Sequence, residues 1–545
     1  MPVRARPADD SVATQPGSVA DRRFRAWRRF LGRPPVIAGL VTAAGAVVWV
    51  VAFPRVGTDL SAAMARAGWA GHYPASGYLF SWYGGFHPAG YSLLAPYVLG
   101  FVGTRLAMAI AAVVSAVLLA NLLYRHDVAR PRAAAVWVAI AMWTELSAGR
   151  APFTLGLAAG LGCICVVDAS LYPPQGAPLP PSQPRGRAIA RLALVGAMAL
   201  LCCLLSPVAA VFLLVASGAF AVGRHFAEAI VIGGAASLPL AVMAQFTDGG
   251  RQPLLVQNWL PPLVFGALVL ILVPRRWLLV RAGTIIYAAG VVVTLAIPAL
   301  IGSNVARLGE LLAGPVLVGM GDSRRRWLLA LALAGAAVWQ VAQPIADLRQ
   351  GNAPPYAPQT AALVRELRLV HADTARVEAV PQYGHWESQE LSSAVPLARG
   401  WERQLDIKRN PLFYGRVLTP AAYFGWLRSN AVRYVAISIA TPDPAAVAES
   451  TTIRQGQPWL VLVWQNSYWR LYRVLGAMPL ASAPGTVVGS TPAKITLRMH
   501  RAGATIIRVH WSPLLGAPGA VVTRAGLWTR LAVRRAGIYE LQGRY

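Results

Sequence analysis

Between residues 36 and 345 the chain is a succession of apolar runs, most of them roughly 15–20 residues long, separated by short segments that carry arginine. In hydrocarbon only a helix or a closed barrel satisfies its own backbone, and runs of this length without strict alternation confine the fold to a polytopic α-helical membrane protein. About eleven spans are expected, at 36–53, 104–123, 133–148, 151–171, 191–205, 207–223, 227–245, 258–273, 282–301, 308–321 and 327–345. The composition agrees, because 56% hydrophobic and 13% charged residues over 545 positions leave too little charge for a soluble chain of this size.

The net charge of +28 is almost entirely arginine, since the lysines are Lys408 and Lys494, a bias that suits a high-GC bacterial source. A basic chain invites a nucleic-acid reading, but these arginines sit between apolar runs, where they set membrane orientation instead. Segments holding Arg185, Arg187 and Arg191, then Arg224, then Arg275, Arg276 and Arg281, then Arg324 to Arg326 alternate with segments holding single arginines, Arg150, Arg251 and Arg307. The expected topology is therefore a bacterial plasma-membrane protein with a cytoplasmic basic tail (1–35, including Arg22, Arg23 and Arg25), a transmembrane domain (36–345) and an extracytoplasmic C-terminus. Cys163, Cys165, Cys202 and Cys203 lie inside apolar runs with no zinc or redox spacing. No P-loop, Rossmann fingerprint or hydrolase elbow is present.

After residue 346 the pattern shortens to alternating blocks. An amphipathic helix is expected at 357–372, a helix at 420–429, and strands at 432–437, 459–464, 494–499, 505–510 and 537–541. This reads as an α/β domain over 346–480 and a β-sandwich-like domain over 481–545. The run from Pro173 to Pro184 is a linker.

The first outer loop, 54–103, holds one acid, Asp59, with Arg55, Arg66, His72 and His87 as nearby cations or metal ligands. A carboxylate in that setting is suited to general-base work on a hydroxyl; the alternative is an acid favoured by the dipole of a helix first turn. Thr58 is the expected cap of a short helix, Asp59 to Ala67, closed by Gly68. The loop then runs through Tyr83, His87-Pro88-Ala89-Gly90-Tyr91 and an apolar segment, 89–102, too short to span.

An acid just past the first span, a short helix, an aromatic stretch ending in His-Pro-x-Gly-Tyr and an interfacial segment resemble the GT-C superfamily of membrane glycosyltransferases, including actinobacterial mannosyl- and arabinofuranosyltransferases. Trp401-Glu402-Arg403, Tyr423 to Trp426 and Trp469 to Tyr472 are similar to outer-domain patterns of that group. The resemblance implies an inverting transferase that moves a sugar from a polyprenyl-phosphate donor to a cell-envelope glycan or glycolipid. It places Asp59 as catalytic base, Arg150, Arg307 and Asn304 at the donor phosphate, the two arginines otherwise being interfacial, snorkelling residues, and Glu145 as a second acid or a partner of Arg150. His72, Tyr83, His87 and Tyr91 become loop residues near substrate. His385, Trp386, Trp401 and Glu402 would form a sugar platform, or else serve as interfacial anchors. A divalent cation is the cofactor left open.

Two other readings compete. A major-facilitator transporter would carry Gly-x-x-x-Asp-Arg-x-Gly-Arg after the second span, where this chain has Tyr124-Arg125-His126-Asp127-Val128-Ala129-Arg130-Pro131-Arg132 without the glycines. A non-enzymatic scaffold presenting the C-terminal domain would make the Asp59 loop dispensable.

Overall fold

The computed structural model describes residues 27–53, 56–172, 185–246, 248–297, 301–351, 357–415 and 417–543. The expectations for the tail before residue 27, for Arg55 and for the proline-rich run 173–184 lie outside these residues.

A helical segment at 27–31 precedes α1 (Pro34–Ala52), which opens on proline, a residue suited to a helix start because its missing N–H has no helical partner there. The first loop holds α2 (Leu60–His72) and α3 (Ala95–Val102). Then follow α4 (Thr104–Arg125), α5 (Pro131–Ala148), α6 (Ala151–Leu171), α7 (Arg185–Leu205), α8 (Pro207–Val222), α9 (Phe226–Ala244), α10 (Val256–Leu272), α11 (Leu278–Ala296), α12 (Ala306–Met320) and α13 (Arg326–Gly351). The Ser206-Pro207 break is a true helix end, because the Ser206 side chain accepts from Ala209 N and caps α8.

Each expected span corresponds to a helix among the described residues, but the count divides. Seven helices among the described residues are long and apolar enough to cross a bilayer alone: α1, α4, α6, α7, α9, α11 and the stretch Ser323–Ala346 that includes most of α13. The other four are shorter or more polar. α8 and α10 have 16 and 17 residues. α5 carries Glu145, and α12 carries Arg307 and Glu310. α5 and α12 are partly enclosed by their neighbours, with Val138, Met142 and Leu317 fully buried.

The helix after Asp59 also differs from expectation. Asp59 itself is the N-cap position, with no side-chain cap bond, and the helix runs through Gly68 to His72. A glycine inside a helix costs about 1 kcal/mol relative to alanine. Trp69, buried against Trp82 with ring centroids 4.7 Å apart, holds the last turn in place.

The C-terminal part begins with α14 (Ala357–Leu369) and a four-stranded sheet of order β1-β2-β4-β3, in which β1 (Arg376–Ala379) runs parallel to β2 (Val432–Ser438) while β4 (Trp469–Val474) pairs antiparallel with both β2 and β3 (Leu460–Gln465). The helices α15 (Trp386–Glu390), α16 (Arg403–Arg409), α17 (Pro420–Ser429) and α18 (Val447–Arg454) lie between these strands in sequence. Two antiparallel sheets follow: one pairs β5 (Gly485–Thr491), β6 (Lys494–Met499), β11 (Gly537–Gly543) and β8 (Leu515–Gly516) in that order, the other β7 (Gly503–His510), β10 (Trp528–Val533) and β9 (Ala520–Ala525). Their facing apolar side chains, such as Ile495, Leu497, Ile507 and Leu531, form one core.

The first loop is shared by all three parts. Tyr78 and Phe80 are buried in the core of the β-rich region, and Trp82, Tyr83 and Phe86 in that of the α/β region. His87 reaches the segment between α9 and α10, where its backbone N–H donates to Asp248 Oδ2 at 2.8 Å. Arg409 closes the joint, donating to the carbonyls of Tyr83 and Gly85 and to Asp248 Oδ1 at 2.9 Å.

Candidate active site

Backbone contact places Asp59. Gly57, at φ +123°, lies against Gly149, at φ +73°, so closely that a Cβ on Gly149 would come 2.7 Å from Leu60 N. Both conformations suit glycine. The Asp59 N–H donates to Ala148 O at 3.2 Å, which fixes the start of α2 on the α5–α6 turn. With no cap bond to make, the carboxylate turns toward α12, where Arg307 Nη2 donates to Asp59 Oδ2 at 3.2 Å. The Asp59 side chain keeps 28% of its surface exposed and Arg307 14%.

Behind this pair lies a second charged layer. Arg150 Nη1 donates to Glu145 Oε1 at 3.0 Å and to Glu310 Oε2 at 3.1 Å. Glu145 has no exposed surface, so its charge depends on Arg150. Gln340 Nε2 donates to Glu310 O, and its Oε1 accepts from Trp137 Nε1, which joins α13, α12 and α5 beneath the ions.

Above the pair sits Tyr91, whose ring lies 4.1 Å from the Arg66 guanidinium carbon. Burial, then the nearby Asp59 charge, raises the Tyr91 hydroxyl above the ordinary tyrosine value, while Arg66 and Arg307 pull it down. Arg66, nearly fully buried, donates to Glu402 Oε2 at 2.6 Å, and the Glu402 N–H donates to Tyr83 Oη at 2.9 Å. The C-terminal α/β region thus forms one wall of the site through Glu402.

The residues named from sequence separate accordingly. Asp59, Tyr91, Glu145, Arg150, Arg307 and Glu402 come together. Asn304 is half-buried one turn before Arg307. His72 stands at the far end of α2, about 20 Å along the helix from Asp59. Tyr83 and His87 hold the shared loop: His87 Nδ1 lies 3.2 Å from Asp248 Oδ1 and Nε2 2.8 Å from Ser512 Oγ. The sugar platform does not form as an open surface. His385 stacks on Trp401 at 3.5 Å between centroids, and the Arg403 guanidinium lies 4.8 Å from the same Trp401 ring. Trp386 is buried in the membrane-domain core. Burial pulls the His385 ring down, but hydrogen bonds with Asp443 and Glu387 outweigh it and lift its pKa above the usual histidine value.

For a divalent cation the residues do not fit. Among the described residues no group of three or more His, Cys, Asp or Glu side chains has metal-binding geometry, and Asp59, Glu145 and Glu310 are each paired with an arginine. Sequence reading missed Glu310 and Asp248. An acid three residues after Arg307 in a short apolar run was the available signal for Glu310, because intramembrane acids are expensive and rarely idle.

Next to the site opens a cavity of about 560 Å³, lined by apolar side chains of α4, α6, α8, α10, α11 and α12. Its lining includes Phe153, Leu308 and Gly309 at one end, where the Arg307 guanidinium carbon lies 5.4 Å from the Phe153 ring centroid. At the other end it reaches His126, Asp168 and His225. From Phe153 to Asp168 along α6 is about 23 Å, most of a bilayer's hydrocarbon thickness.

No protein-family model matches this sequence, and no curated protein matches it. Among solved structures the chain is similar to the crystal structure of the Archaeoglobus fulgidus oligosaccharyltransferase in the apo form, with 15% sequence identity, a TM-score of 0.44, and coverage of 76% of this chain and 70% of that one.

Proposed function

We propose that this membrane protein transfers a sugar from a polyprenyl-phosphate donor to a glycan or glycolipid of the cell envelope, at the membrane face that bears its C-terminal domains. The observation that carries this reading is the Asp59–Arg307 pair beside one end of an apolar cleft that runs most of a bilayer's hydrocarbon thickness. A polyprenyl chain suits such a cleft, because its isoprene units offer only apolar surface, and the phosphate would then lie at the charged end.

In the proposed step the acceptor hydroxyl gives its proton to the Asp59 carboxylate while its oxygen bonds to the anomeric carbon. The bond from that carbon to the phosphate oxygen breaks, and its electron pair leaves on the lipid phosphate. Configuration inverts. Arg307 holds Asp59 through Nη2 alone, so its other N–H groups are free to meet the growing negative charge on the phosphate. Arg150 is occupied by Glu145 and Glu310 and acts as a positioning residue for the α6 and α12 ends. Tyr91, Arg66 and Glu402 line the acceptor side.

The test is transfer of radiolabelled mannose or arabinofuranose from polyprenyl phosphate in membranes holding wild type or Asp59→Asn at equal protein level. Loss of a general base is expected to lower the rate about 10²–10⁴-fold. Equal rates would remove Asp59 from the chemistry, and absence of transfer by the wild type would turn the assignment toward solute transport or scaffolding.

A further inference from the structure

At the opposite end of the membrane domain, α1 and α5 start side by side. α1 leads from Arg33 to the Asp59 loop and α5 from Arg130 to Ala148, so their N-termini lie on the face remote from the candidate active site. Between them is a second hollow of about 740 Å³, lined by Arg29, Gly32, Arg33, Pro34, Tyr124, Arg130, Pro131, Arg132 and Ala133. Four arginines and two helix N-termini contribute positive charge to it, and among the described residues no acid lines it.

The arginines are not equivalent. Arg130 is committed to the wall, since its Nη1 donates to Val318 O at 3.1 Å and Gly321 O at 3.4 Å, tying the hollow to the end of α12. Arg29, Arg33 and Arg132 are exposed and make no side-chain hydrogen bond or ion pair to the described residues. Orientation in the membrane requires only that such charges lie on one face. It does not require three separate segments to turn them into one concave site. Trp27 and Phe30, 60% and 51% exposed on the helical segment that supplies Arg29, place that segment at the lipid–water boundary, where large aromatic rings are favoured.

We infer that this hollow binds a phosphate-bearing anionic headgroup, and that a phospholipid of the adjacent leaflet supplies it. Headgroup oxygens would accept from Arg29, Arg33 and Arg132 while the acyl chains lie along the near halves of α1 and α4, where Leu40 and Val114 are exposed apolar groups. This site is separate from the proposed transfer chemistry and stands whether or not that reading holds.

The test uses the full-length protein in phosphatidylcholine nanodiscs with and without phosphatidylglycerol or cardiolipin. Native mass spectrometry reads the retained lipid, and inorganic diphosphate serves as the soluble competitor. Wild type is expected to retain anionic lipid over phosphatidylcholine. At about 1 kcal/mol per arginine near a membrane surface, the triple variant Arg29→Gln/Arg33→Gln/Arg132→Gln is expected to bind it on the order of 100-fold more weakly. The control variant Arg324→Gln/Arg325→Gln/Arg326→Gln removes the same charge from the same face outside the hollow and is expected to retain lipid as wild type does. Equal loss in both variants would reduce the effect to general surface charge and overturn the site, as would unchanged retention in the first. Displacement of the lipid by diphosphate at equal concentration would assign the site to a soluble phosphate. The unfolding midpoint in phosphatidylcholine alone checks that both variants fold.

Discussion

Arg150→Gln separates a structural ion network from a substrate contact. Arg150 is the sole hydrogen-bond partner of the Glu145 carboxylate, which has no exposed surface and whose Oε2 has no partner at all among the described residues. Glutamine keeps much of the side-chain length but removes the charge, leaving Glu145 and Glu310 as neighbouring acids without a cation between them. Removing one partner of a buried ion pair typically costs about 3–5 kcal/mol, most of it the penalty of the stranded charge. For a membrane domain of this size the unfolding midpoint should then fall on the order of 10 °C. The diagnostic step is the second substitution. In Glu145→Gln/Arg150→Gln the fully buried Glu145 charge is gone and two neutral amides stand at hydrogen-bonding distance; Glu310 still loses its partner but keeps 20% of its side-chain surface exposed, so most of the lost stability should return. The assay is thermal unfolding of the purified protein in detergent, followed by transferase activity of each variant in membranes. If Arg150 only positions α6 and α12, the double variant recovers activity with stability. A double variant as unstable as Arg150→Gln alone would refute the stranded-charge argument; one that is stable but inactive would place Arg150 on the substrate.

Two further substitutions test the placement of the site and the C-terminal α/β region. Gly149→Ala puts a Cβ 2.7 Å from Leu60 N at a left-handed backbone position, so the Asp59 loop must move off the α5–α6 turn; a stability loss of about 1–3 kcal/mol and a marked fall in transfer are expected, and wild-type activity would show that the close glycine contact is not needed. In the α/β region Glu378 is fully buried, and burial followed by the charge of Glu449 pushes its pKa well above the ordinary value, with Asp406 and Glu387 acting in the same direction and Arg399 opposing. Because the folded state holds this proton more tightly than the unfolded chain, its stabilising contribution is complete below pH of about 4.5 and declines as pH rises, by up to about 1.4 kcal/mol per pH unit. Glu378→Gln should flatten the dependence of the unfolding midpoint between pH 5 and 8, and parallel profiles for the two proteins would contradict the buried proton.

The membrane architecture was legible because a span announces itself locally, by length and polarity. The strands Lys494–Met499 and Val432–Ser438 were legible for a similar reason, since alternation and turn residues lie within a few positions of each other. Asp59 could be singled out by its place next to a span. Its partner could not be fixed, because Arg307 lies 248 residues away and faced several other acids in the sequence. The aromatic stretch was the harder case. Tyr83, His87, Trp401 and His385 have the composition of a carbohydrate surface, yet the partners that bury them, Glu402, Asp248 and Asp443, come from distant segments. Aromatic residues in a polar loop look alike whether they await a ligand or another part of the same chain.

That sharing has a consequence for biosynthesis. Tyr78 donates its hydroxyl hydrogen to His510 O across 432 residues, and Phe80, Trp82 and Phe86 are buried by segments that are also made late. At about 5–20 residues per second the ribosome needs roughly 20–90 s to travel that distance. For that interval the nascent loop presents a row of aromatic rings that have Trp69 of α2 beside Trp82 and Phe86 but lack their C-terminal partners, and the finished C-terminal domains must close around it rather than fold beside it. A chaperone on that side of the membrane, or the headgroup region itself, has a task here that begins when the first hairpin of helices is inserted and ends only when the last strand has been made.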